Sequence, residues 1–224
     1  MIQPTRSLVS ATLAPALLIG GWTLAARLQP AGFDSSTDTI SALAGLGATD
    51  RWVMTTALLG LGACHATTAS GLKAAAPAGR VLLAIGGIAT MAVAALPLPV
   101  VGSSAAHTTA AGIAFVALSA WPLAAWRRRR SASRAQAGGS TSQDVRQRST
   151  DELNGSEPGV VPWALRPVSS LGASALSFVL LAGFGVALSR SEFVGGAERI
   201  TAAAQALWPL VVVWSVKLTR PVAS

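Results

Sequence analysis

Residues 105–126 read AAHTTAAGIAFVALSAWPLAAW, and residues 127–130 read RRRR. The first stretch carries no Asp, Glu, Lys or Arg along its whole length. Wound as a helix at ~1.5 Å per residue, it covers the roughly 30 Å of a bilayer's hydrocarbon. Inside lipid every backbone N–H and C=O must find a partner within the segment, which selects a helix over an open strand. The four arginines that follow stop the helix at a membrane face.

The same pattern recurs outward from this segment in both directions. Charge-free or nearly charge-free runs lie at Leu8–Ala26, Trp52–Leu72, Val81–Val101, Val168–Leu188 and Ile200–Val216. The period-2 alternation of a membrane-barrel strand is absent. The first run is longer than the apolar core of a secretory signal and more runs follow it, so it is read as a retained span. The predicted fold class is therefore all-α, a polytopic transmembrane helix bundle of about six spans.

Composition agrees. Charged residues make up 12% of the 224 and hydrophobic residues 51%, with a mean hydropathy of +0.53. A soluble domain carries about a quarter charged residues. The net charge of +8 does not point to nucleic acid, because the basic residues sit in short segments between apolar runs. Membrane lipids are the expected partners, and no oligomeric state is implied. The single cysteine, Cys64, excludes a disulfide framework and a cysteine zinc site, and no cofactor is expected.

Charge placement also orients the chain. With the N-terminus inside, Arg6, Lys73, Arg80, Arg127 to Arg130, Arg134, Arg146, Arg148, Arg166, Lys217 and Arg220 are cytoplasmic. Only Arg27, Arg51, Arg190 and Arg199 are then outside. Basic residues in cytoplasmic loops set topology, so both termini are expected in the cytoplasm of a bacterium, with the chain in its inner membrane. Trp52, Trp126, Trp163 and Trp214 fall at span edges and read as interfacial anchors. Residues 127–164, rich in Ser, Gln, Gly and Arg, hold too few apolar groups to offset ordering entropy. They are expected to form a disordered basic linker between a four-span portion (1–126) and a two-span portion (165–224).

Inside the spans, Gly60, Gly62, Gly86, Gly87, Gly183 and Gly185 have the small-residue character that lets helices approach in lipid. Trp121-Pro122-Leu123 with Trp126 is echoed by Trp208-Pro209-Leu210 with Trp214, and each proline is expected to kink its helix.

Chemistry concentrates at the outer side. Residues 33–43 read FDSSTDTISAL, followed by Thr49-Asp50-Arg51-Trp52. Ser35 and Asp38 have the spacing of a capping box, and Ile40, Leu43, Ala44 and Leu46 form one apolar face, predicting a short amphipathic helix at the interface. Thr49 or Asp50 is placed to cap the second span. Asp38, Ser41, Asp50 and His107 are the candidate catalytic residues. The histidine would exchange protons, the acids would orient it or hold a cation, and Ser41 would be a nucleophile. Each acid also has a purely structural reading as a cap or a solvated group. His65 lies ~20 Å down its span from Trp52. As an intramembrane ionisable group it supports an alternative, a small transporter or permease. The two histidines differ in depth by ~15 Å, which prevents shared ligation of one metal at about 2 Å.

With that loop and His107 in view, the chain resembles a bacterial family known as domain of unknown function 998. The resemblance rests on Asp38-Thr39-Ile40-Ser41-Ala42-Leu43, Ala48-Thr49-Asp50-Arg51-Trp52, Gly71-Leu72 and His107, and covers nearly the whole chain apart from the linker. It implies a six-span integral membrane protein and supplies no reaction or substrate. Three functions follow as expectations: an enzyme acting on lipid or envelope substrates through the outer Asp/His site, a permease using His65, or a non-catalytic binding or assembly protein.

Overall fold

The computed structural model describes residues 3–127 and 160–219. Among these the chain is all-helical: α1 (Gln3–Arg27), α2 (Ile40–Leu43), α3 (Trp52–Gly71), α4 (Pro77–Ala95), α5 (Ala105–Ala125), a 3-10 turn (Trp163–Leu165), α6 (Pro167–Arg190) and α7 (Val194–Leu218). Five helices are long and apolar enough to cross a membrane: α1 from Thr5, and α4, α5, α6 and α7. The protein is a multi-pass membrane protein.

The third helix is long enough to cross but is diluted by Thr55, Thr56, His65, Thr67, Thr68 and Ser70. It nonetheless runs antiparallel beside α1 along its whole length. At one end Gly21 packs against Ala57, further along Gly60 faces Leu17, and near the other end Ser10 Oγ and Thr68 Oγ1 share a hydrogen bond of 2.8 Å. On its other flank Gly62 lies against the Gly87 carbonyl and Met91 of α4, so closely that no Cβ would fit at Gly62. Arg80 Nε and Nη2 donate to the carbonyls of Ala69 and Ser70 at 2.8 and 2.9 Å, satisfying groups that the end of α3 leaves open.

The long helices pack in chain order, α1 on α3, α3 on α4, α4 on α5, α5 on α6 and α6 on α7, and α7 closes the ring against α1. Small residues set the spacing: Gly79 lies against Ala125 and Gly86 against Leu118. Gly183 and Gly185 differ, since no atom lies within 4 Å of where their Cβ would be. They sit on α6, the least buried of the five span-like helices.

Pro122 removes a backbone donor from α5, and a side chain of α6 bonds to the backbone beside it. Ser174 Oγ of α6 donates to Ser119 O at 2.7 Å and accepts the Leu123 N–H at 3.1 Å. Those are the two groups that an unbroken helix would pair with each other.

Element boundaries depart from expectation in three places. The span expected at Val81–Val101 runs Pro77–Ala95, because Pro77 suits a first turn and Pro97 and Pro99 cannot continue a helix. The last span, expected at Ile200–Val216, begins at Val194. The outer amphipathic helix is a single turn capped by Thr39, whose hydroxyl accepts the Ala42 N–H at 3.0 Å. Its Ile40 and Leu43 are buried in the bundle core. Of the linker expected at 127–164, residues 128–159 lie outside the described residues. At its edges Arg127 N–H donates to Leu165 O at 3.2 Å, and Ala164 and Leu165 are fully buried.

Candidate functional site

Within the ring of helices lies a cavity of about 60 Å³, lined from α1, α2, α3, α4, α5 and α7. A water molecule needs about 10–15 Å³ on such a measure, so the space suits a few waters or one small polar group. Leu18, Leu58, Leu61, Val93, Phe115 and Leu118 make most of the wall apolar. Five polar side chains enter it: Ser41, His65, Thr90, Glu198 and Gln205.

His65 is 1% exposed, and neither Nδ1 nor Nε2 has a hydrogen-bond partner among the described residues. An imidazole always offers at least one donor, and a buried unpaired polar group costs about 1–3 kcal/mol. The position is fixed by close packing, because Gly87 brings α4 against the His65 Cβ. Gln205 stands on the facing helix and donates through Nε2 to Phe115 O at 3.0 Å and Ser119 Oγ at 2.9 Å.

Glu198, in the second turn of α7, is 5% exposed. Its Oε2 accepts the backbone N–H of Ile40, and its Oε1 accepts the Ser41 hydroxyl at 3.2 Å. The next residue reinforces the same junction. Arg199 Nη1 donates to the carbonyls of Ser35 and Asp38, both at 2.7 Å, and to Gly195 O at 3.0 Å. Gly195 itself lies against the Asp38 and Ser35 carbonyls, where a Cβ would collide, and Gly196 N–H donates to Ser36 O at 2.9 Å. The turn leading into α7 holds Ser191 and Phe193 with φ of 56° and 52°, a conformation uncommon for residues with a side chain. Residues 34–41 are thus a lid fastened to the head of α7, with Ile40 and Ser41 lining the cavity.

The residues expected at the outer site are placed separately. Asp38 Oδ2 accepts the Asp34 N–H at 2.9 Å. Asp50 has a φ of 48° and accepts the Trp52 indole N–H at 3.1 Å through Oδ1, while Arg51 holds the N-cap position of α3 and makes no side-chain cap bond. His107 Nδ1 donates to Leu96 O at 2.7 Å, and its buried Nε2 has no partner among the described residues. Of Asp38, Ser41, Asp50 and His107, Ser41 alone lines the cavity. Its hydroxyl is directed to Glu198 and not to a histidine. Among the described residues no three His, Cys, Asp or Glu side chains gather as metal ligands. Asp34, in the lid, has its carboxyl held below the usual aspartate range, chiefly by the Ser36 backbone N–H and then by the Ser36 hydroxyl.

Glu198 and Gln205 are not among the candidates the sequence offers, because a last span at Ile200–Val216 leaves Glu198 outside it. A signal was present. Glu198, Thr201 and Gln205 fall at i, i+3 and i+7, one polar stripe on a helix, and all three are buried.

Among known proteins, a family model described as "Protein of unknown function (DUF998)" matches residues 12–142, more than half of the chain. The match takes in the lid, Ser41 and His65, and stops before the helix that brings Glu198 and Gln205. No curated protein and no solved structure matches the chain.

Proposed function

The chain belongs to the family described as protein of unknown function DUF998, and from that premise we propose that it is a small permease whose central cavity takes a small hydrogen-bonding solute. The observation that carries this reading is His65, buried with both ring nitrogens unpaired among the described residues, on the wall of a largely apolar cavity that four other polar residues also line. Native proteins rarely leave such a group without a partner, and a solute or water entering the cavity supplies one.

The polar groups are stepped in depth. At ~1.5 Å per residue Glu198 stands about 6 Å from the start of α7, while Gln205 and His65 stand ~17–20 Å from the starts of their helices. A solute passing the lid meets Ser41 and Glu198 first and His65 with Gln205 last. The carboxylate and the imidazole flank this path and are the two groups on it that can exchange a proton. In this reading α3 is a sixth crossing, since it lies beside α1 from end to end. Six crossings bring both termini to one side, and the basic bias makes that side the cytoplasm of a bacterial inner membrane. The lid then faces outward.

An enzyme built on Asp38, Asp50 and His107 receives less support, because none of the three lines the cavity and the carboxylates of Asp38 and Asp50 accept from Asp34 N–H and the Trp52 indole. The test is profiling of small polar solutes inside and outside cells lacking the protein, complemented at matched membrane levels. Wild type, Asp50→Asn and His107→Ala are expected to restore the profile, and His65→Ala and Glu198→Gln to fail. Restoration by both cavity variants, or no solute difference between deleted and wild-type cells, overturns the reading.

A further inference from the structure

At the end of the bundle opposite the lid lies a second cavity of about 330 Å³ where α1, the end of α3 and the end of α7 meet. That volume is at the small end of the range for ligand sites. Lys73 and Lys217 line it together with Thr5 and Ser7 of α1 and Val213 and Val216 of α7. We infer that this cleft binds the phosphate-bearing headgroup of an anionic membrane lipid.

Charge is the first argument. All five acidic residues among those described, Asp34, Asp38, Asp50, Glu192 and Glu198, lie in the lid or the α6–α7 turn, before α3, or in the head of α7. None lines the cleft, and neither lysine has a carboxylate partner among the described residues. Two lysines and Thr5 line the cleft, and ammonium and hydroxyl groups together are the donor set of a phosphate site.

Depth is the second. The Lys217 ammonium sits 5.3 Å from the centre of the Trp214 ring, and Trp214 is 49% exposed on the outside of α7. An exposed tryptophan at a span end marks headgroup level, so the lysine beside it is at the height of lipid phosphates. Basic pockets between membrane helices at this level hold anionic headgroups, and the attraction is short-ranged and sensitive to salt.

Native mass spectrometry of the purified full chain with equal amounts of phosphatidylglycerol and phosphatidylcholine tests this. Wild type is expected to retain phosphatidylglycerol with about a tenfold preference. The double variant Lys73→Gln, Lys217→Gln should lose that preference while keeping the wild-type melting temperature. Lys73→Arg with Lys217→Arg, and Arg166→Gln away from the cleft, should keep it. Equal retention of the two lipids, or an unchanged preference in the double Gln variant, overturns the assignment. Binding of inorganic phosphate that the double variant abolishes, without any preference between lipids, makes the site one for a free anion and overturns the lipid assignment as well.

Discussion

Glu198 of α7 accepts the backbone N–H of Ile40, 158 positions earlier in the chain. This bond joins the last helix to the one-turn α2 beside the central cavity, which both residues line. A buried carboxylate that pairs with a backbone amide and a serine hydroxyl is stabilised by charge-assisted bonds, and breaking such a pair exposes both sides to an unsatisfied group.

Replacing Glu198 therefore loosens the lid before it loosens the bundle. Glu198→Ala is expected to cost about 1.5–3 kcal/mol locally. Amide hydrogen exchange at residues 40–43 should accelerate by at least about tenfold, with exchange in α4 and α5 unchanged. Glu198→Gln keeps an acceptor oxygen for Ile40 and should accelerate exchange less. Equal exchange in all three proteins would show that the bond does not hold the lid.

The hydroxyl of Ser174 makes a separate prediction about α5 beside Pro122. Ser174→Ala removes a group that serves both Ser119 O and Leu123 N–H. Polar contacts between membrane helices are worth about 0.6–2 kcal/mol. The variant should lower stability to unfolding in detergent by that amount. No loss would mean that α5 closes its own hydrogen bond once the hydroxyl is gone.

Glycines sort by what surrounds them. Gly62→Val drives a side chain into the Gly87 carbonyl and Met91, so folded protein should be lost from membranes. Gly183→Ala meets open space on α6 and should be neutral or stabilising by up to ~1 kcal/mol, because alanine is the better helix former. Membrane expression of the two variants checks both statements, and equal behaviour would contradict the packing described.

Acid acts on the lid through Asp34. Its folded-state carboxyl titrates below the unfolded one, held down by Ser36 N–H and then Ser36 Oγ. Its contribution to lid order is thus fully present above the unfolded value of about 3.9 and fades as pH falls through the lower folded value. Carboxyl-selective NMR titration should give a midpoint below that value, and Ser36→Ala should move it upward while leaving the backbone share in place. A midpoint unchanged by Ser36→Ala would remove the hydroxyl from this account.

Architecture was readable because hydrocarbon imposes it. Long uncharged runs must be helices, and Pro77, Pro97 and Pro99 could have fixed the ends of α4 more closely than hydropathy did. The cavity was harder to read. His65 stood out as a lone ionisable group in an apolar run, and Ser41 stood out in the polar loop. Glu198 is hidden because it precedes the apolar run that begins at Ile200, whereas α7 starts at Val194 and buries that carboxylate against α2. Its partner lies in a loop far away in sequence, and no local pattern encodes that meeting. The lid itself was legible as a short helix, but Thr39 caps it in place of the expected Ser35, because Asp34 and Asp38 tie up residues 34–38 as a separate turn.

The central claim is that His65 faces a cavity that opens through the lid. The most direct test is a thiol at that position. In a Cys64→Ser, His65→Cys protein reconstituted in vesicles, a small cationic methanethiosulfonate added at the lid face is expected to react. Adding Glu198→Ala should speed that reaction by about tenfold or more, in line with a lid bond of at least ~1.4 kcal/mol. No reaction from the lid face in either protein, or a rate that Glu198→Ala does not change, would contradict the account.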